Sequence, residues 1–192
     1  MQQVETYLLN SPAHIVIAAS VAKAVPAVPM SSAFLLGSVA PDLPLYTMSL
    51  VGGLYYTRVK KMTPRDAADL MFNDLFFNNK AWIAVHNLLH APLLLGLLLV
   101  PLAFFLEDAV AAWFFWFLLS CLLHTAIDIP THHNDGPLLL FPFDWKLRFE
   151  SPISYWDRAK GARQFMIFEA FLVLILLVYL FGPWFLDRFA FA

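Results

Sequence analysis

Six histidines are the residues of this 192-residue chain whose types and spacing best suit bond-making chemistry. His86 and His90 stand four residues apart, and so do His124 and Asp128. On a helix such positions share a face, with Cβ atoms about 5–6 Å apart, close enough to hold one metal ion or two adjacent ones. His14 and Asp42 make a third set if the chain doubles back between them. The one cysteine, Cys121, lies inside an apolar run, so neither a disulfide framework nor a thiolate zinc site is available. A metal must then be held by imidazole and carboxylate. That donor set suits Zn²⁺ first, with Mn²⁺ or Fe²⁺ as alternatives, as one ion or a pair. Such an ion lowers the pKa of bound water and polarises a phosphoryl or carbonyl oxygen.

Around these six residues lies a ring of polar candidates. After Asp128 the chain reads Ile129-Pro-Thr-His-His-Asn-Asp-Gly-Pro137, a punctuated loop that brings His132, His133 and Asp135 near a helix end. His132 and His133 suit ligation, solvation or a substrate headgroup equally, and Asp135 suits an Asx turn as well as a base. Glu169 sits about one turn inside an apolar run, where it serves as ligand or general base, or pairs with Arg163 or Lys160. Arg148, Arg158 and Arg163 can hold a phosphate, though anchoring to anionic lipid uses the same side chains.

These residues need elements to carry them, and composition says which. With 60% hydrophobic and only 14% charged residues, the chain is too apolar for a soluble globule, and lipid must cover much of its surface. The net charge of -2 excludes a strongly basic nucleic-acid footprint. The expected fold is an all-α membrane protein, a single 1–192 domain with three long transmembrane helices and a short N-terminal helical hairpin. Residues 83–106 and 165–186 reach the about 20 residues that a span requires, and 109–127 qualifies as well. Glu107 and Asp108 alone separate the first from the third, so 83–128 reads as a transmembrane hairpin with an acidic turn. Residues 13–25 and 31–40, split by Pro26-Ala-Val-Pro29, are too short to cross and read as a re-entrant or shallow hairpin over 13–42. A polar interfacial segment, 57–80, contains Thr63-Pro64-Arg65-Asp66, a helix start with Thr63 as cap. Residues 129–163 read as a basic and aromatic loop covering the site. Trp113, Trp116 and Trp184 suit interface anchoring and lipid-facing packing. The basic clusters Arg58, Lys60, Lys61, Arg65 and Lys146, Arg148, Arg158, Lys160, Arg163 flank the open end of the long hairpin, which puts that end in the cytoplasm. All six histidines then fall in one layer at that face.

The chain also resembles the bacterial membrane-bound metal-dependent hydrolases and, more distantly, the zinc-dependent phospholipase C group. Carrying the resemblance are Ala13-His14, Gly37-Ser-Val-Ala-Pro-Asp42, His86 to His90, Leu123-His124-Thr-Ala-Ile-Asp128, Thr131-His132 and Gly136-Pro-Leu-Leu-Leu-Phe-Pro142. It implies a mostly helical hydrolase of a bacterial inner membrane with His14, Asp42, His86 or His90, His124 and Asp128 as metal ligands. It supplies a reaction class and no substrate.

Together these readings expect a membrane enzyme with its site at the cytoplasmic interface, acting on a phosphoester of a lipid or lipid-linked molecule. His14, Asp42, His86, His90, His124 and Asp128 are the expected metal ligands. His132, His133, Asp135 and Glu169 are expected to handle protons or substrate, and Arg148, Arg158 and Arg163 to hold the phosphate. A metal transporter or sensor, or a non-catalytic scaffold, are the alternatives. Oligomeric state is not read from the sequence.

Overall fold

A computed structural model of the chain describes residues 10–189. Among these residues the fold is all-helical, with no strand. The α-helices are α1 (Asn10–Ala24), α2 (Ser32–Gly37), α3 (Leu43–Leu54), α4 (Pro64–Asp69), α5 (Phe76–Asn78), α6 (Lys80–Asn87), α7 (Pro92–Leu102), α8 (Ala109–Asp128) and α9 (Ala162–Phe189).

Among the described residues, two helices are long and apolar enough to cross a membrane, Ala109–Thr131 and Ala162–Phe185. A third span exists only if α6 and α7, bent by 44° at their junction, count as one. The expected continuous helix over 83–106 is therefore broken, and the reason is Pro92. Its ring forces the residue before it out of the helical region, and Ala91 is extended at φ -87°, ψ 115°. The helix also stops at Leu102, four residues short of the expected end. Asp108 proves to be the cap of α8, its side chain accepting from Val110 N at 3.0 Å and Ala111 N at 2.8 Å.

The N-terminal hairpin is less symmetric than expected. α1 fills its first arm, but the second arm, α2, has only six residues, capped by Ser31. The apolar helix α3 that follows is absent from the sequence reading, and several of its large side chains, Leu43, Leu50 and Val51 among them, are exposed. Thr63 caps α4 as expected, with Oγ1 accepting from Asp66 N at 3.2 Å.

α2 lies against α8 at a close approach that only glycine permits. A Cβ on Gly37 would sit 2.1 Å from the Phe117 carbonyl oxygen. Ala40, Leu95, Leu99, Leu118 and Cys121 form the buried cluster that joins α7 and α8 to the end of the short arm. Between α1 and α2, Ala18, Ala22 and Phe34 form another. α1 also packs on α9, and Lys23 clamps the two. Pro183 lacks the N–H that would have bonded the Tyr179 carbonyl, and Lys23 Nζ donates to that oxygen at 2.7 Å and to Leu180 O at 3.0 Å. The loop after α8 folds back on the helix end, with Tyr155 N donating to Thr131 O at 3.0 Å.

Candidate metal centre

Four chain positions that are remote in sequence meet where α8 ends. His124 and Asp128 come from one face of its last turns, as their spacing dictates. His90 enters from the break between α6 and α7. Asp42 enters from the α2–α3 junction, which the Gly37 contact holds against α8. His14 reaches in from the first turns of α1.

One donor atom from each of Asp42, His90, His124 and Asp128 lies within 4.8 Å of the others. Asp128 Oδ2 is 2.8 Å from His90 Nε2 and 3.0 Å from His124 Nε2. The two Nε2 atoms are 3.1 Å apart, and Asp42 Oδ1 is 3.5 Å from His124 Nε2. Donor atoms held by one ion at about 2.0–2.1 Å stand about 3.3 Å apart, close to these separations, so the set could hold a metal ion. His14 joins at the edge, its Nε2 3.1 Å from Asp128 Oδ1 and its ring stacked on His124 at 3.8 Å.

Protons favour the same reading. His124 Nδ1 donates to the Ser38 carbonyl at 2.7 Å, which leaves Nε2 with its lone pair toward the cluster. A hydrogen bond from the far nitrogen to a carbonyl is how metal-binding histidines are oriented. His90 departs from the pattern: its Nδ1 is buried with no hydrogen-bond partner among the described residues.

The other expected residues spread outward from this group. His86 lies one ring beyond His90, centroids 4.7 Å apart, and is packed on Phe76. The helix break falls between the two histidines, and His86 is outside the four-residue set. His132 is buried, its Nδ1 donating to Asp128 O at 3.0 Å and its ring 5.5 Å from that of Tyr155. His133 donates from Nδ1 to Ser151 O at 2.6 Å. Asp135 has a buried Oδ1 without a hydrogen-bond partner among the described residues, within electrostatic reach of Arg148. Glu169 is buried in α9 and accepts from the Tyr155 hydroxyl, so the expected alternative of a pair with Arg163 or Lys160 is not what holds it. Arg148 donates to Gly136 O and lies over the rings of Phe76 and Phe77. Arg158 and Arg163 are exposed on the covering loop and the first turn of α9.

Several residues that orient the group went unread in the sequence. Ser11 donates to Asp42 Oδ2. Thr125 Oγ1 donates to the His90 carbonyl at 3.2 Å, and Asn87 Oδ1 accepts from Leu138 N at 2.8 Å. Asn87 and Thr125 carry a signal, since polar side chains in apolar helices seek partners. Ser11 and the Ser38 carbonyl carry none.

No curated protein and no solved structure matches the chain. The resemblance to metal-dependent hydrolases and to phospholipase C therefore gains no support from comparison and rests on the motif residues alone. What does match, over residues 9–188 and so over nearly the whole length, is the model of the YdjM inner membrane protein family, and the chain belongs to that family.

Proposed function

We propose that the chain is a metal-dependent hydrolase of the membrane that cleaves a phosphoester of a lipid or lipid-linked molecule. The observation that carries this reading is the convergence of Asp42, His90, His124 and Asp128 at the end of a helix long enough to cross the bilayer. A bound divalent ion, Zn²⁺ first with Mn²⁺ or Fe²⁺ as alternatives, would supply Lewis acidity toward water and a phosphoryl oxygen. The four residues would hold it, and His14 contacts Asp128 from the other side. Further out, Glu169 on its Tyr155 hydroxyl and His132 beside Asp128 are candidates to take a proton. His133 and Asp135 belong to the covering loop, and Arg148, anchored on Phe76 and Phe77, is the cation best placed to meet a phosphate.

Position argues for a lipid substrate. A site at the end of a spanning helix is level with the headgroups, where such a substrate arrives by lateral diffusion. With α6 and α7 as a bent third span, both basic clusters lie at this end, which favours the cytoplasmic face. A transporter needs ligands near the midplane. Here the half of the α7–α8 hairpin beyond the site is apolar down to its turn.

Metal analysis of the purified protein tests the reading. It expects about one equivalent or more of a transition metal, falling sharply in His124→Ala. Less than about half an equivalent, unchanged by that substitution, overturns it. Release of phosphate or headgroup from a lipid panel, lost in Asp128→Asn, separates hydrolase from transporter.

A further inference from the structure

The two oxygens of Asp42 have different partners. Oδ1 faces His124 Nε2, whereas Oδ2 accepts the hydroxyl proton of Ser11. Ser11 has one proton to give, so its contact with the Tyr46 hydroxyl, 2.7 Å away, is one in which Tyr46 donates. Ser11 is buried in the first turn of α1, and Tyr46 stands one turn beyond Asp42 on α3, about half exposed. A chain of two hydroxyls thus runs from the surface of α3 to the outer oxygen of Asp42, with both protons pointing inward.

We propose that Ser11, backed by Tyr46, sets the metal preference of the centre by leaving Asp42 a single oxygen for the ion. The inference rests on the metal-centre reading above. A carboxylate restricted to one oxygen suits a four-coordinate ion such as Zn²⁺. Ions that favour six or more oxygen-rich contacts, Mn²⁺ among them, gain from a carboxylate free to offer both. Deleting the Ser11 hydroxyl releases Oδ2 and also loosens the rotamer that aims Oδ1. Both effects shift preference away from Zn²⁺. Ser11 and Tyr46 act through Asp42 and are positioning residues.

The test measures Zn²⁺ and Mn²⁺ affinities of the full chain in lipid nanodiscs, by competition with a chromogenic chelator, for wild type, Ser11→Ala, Ser11→Thr and Tyr46→Phe. Loss of an outer hydrogen bond to a ligand weakens metal binding about 10–100-fold. Ser11→Ala is expected to lose that much Zn²⁺ affinity but less Mn²⁺ affinity, so that the Zn²⁺/Mn²⁺ ratio falls about tenfold. Ser11→Thr, which keeps a hydroxyl, restores the ratio, and Tyr46→Phe lowers it by a smaller factor. An unchanged ratio in Ser11→Ala overturns the proposal, even if both affinities drop together. Should Ser11→Ala fail to fold, an unchanged ratio in Tyr46→Phe overturns it instead. A wild-type chain that binds neither ion overturns the metal centre itself, an outcome distinct from a centre that binds with a ratio indifferent to Ser11.

Discussion

Replacing Gly37 with alanine should damage the proposed metal centre without touching any of its four candidate ligands. The added Cβ would lie 2.1 Å from the Phe117 carbonyl oxygen and 2.9 Å from Ser120 Cβ. Backbone carbonyls in the middle of α8 cannot swing away, so the six-residue α2 must retreat by about 1 Å. Ser38 follows Gly37 directly, and its carbonyl holds His124 Nδ1 at 2.7 Å. A retreat of that size stretches the contact beyond about 3.5 Å, where little hydrogen bonding remains. Overpacking of this kind costs about 1–3 kcal/mol of stability, and loss of the orienting hydrogen bond weakens metal binding about 10–100-fold. Chelator competition for Zn²⁺, together with thermal unfolding in the same detergent, measures both. Gly96→Ala is the control, because a Cβ at Gly96 meets nothing within 4 Å. A Gly37→Ala protein that binds Zn²⁺ within about twofold of wild type and melts at the same temperature would refute the reasoning that the α2–α8 contact fixes the His124 ring.

Asn87→Ala should free the covering loop. The Leu138 N–H loses the Asn87 acceptor inside a fully buried site, at a cost of about 1–3 kcal/mol, and trypsin should then cut faster after Lys146 or Arg148. Lys23→Met strips the Pro183-freed carbonyl of Tyr179 of its donor, whereas Pro183→Ala returns that carbonyl to an ordinary helical bond. The loss from Lys23→Met, about 1 kcal/mol in a membrane setting, should shrink in the Pro183→Ala background, as a double-mutant cycle of unfolding free energies will report.

What the sequence made legible were features written in side-chain type and period. Residues 109–127 read as a span because the run is apolar and uninterrupted, and α8 covers it almost residue for residue. The pairing of His124 with Asp128 followed from helical spacing, and the arrival of Asp42 followed from the Pro26-Ala-Val-Pro29 reversal. The break before Pro92 was also written there, but an apolar run on both sides of it hid the geometry from a reading by hydropathy. That break decides which of His86 and His90 joins the group. α3 was missed for a different reason: its apolar residues are exposed on a short helix, and neither length nor alternation separates it from a loop. Least legible were hydrogen bonds to the main chain, since any residue can supply a carbonyl.

Those carbonyls also explain why the cluster sits where helices end. Three histidines donate through Nδ1 to main-chain oxygens: His124 to Ser38, His132 to Asp128 and His133 to Ser151. Within a helix every carbonyl is already engaged by the N–H four residues on, and only the last turn and the loops have oxygens to spare. Ser38 follows α2, Asp128 ends α8, and Ser151 lies in the loop that folds onto α8. A histidine at mid-bilayer would find no such acceptor unless a helix were broken there. Fixing imidazoles in the tautomer that points Nε2 at an ion therefore requires a gathering of helix ends. In a small helical membrane protein, those ends collect toward the two faces of the bilayer rather than its middle.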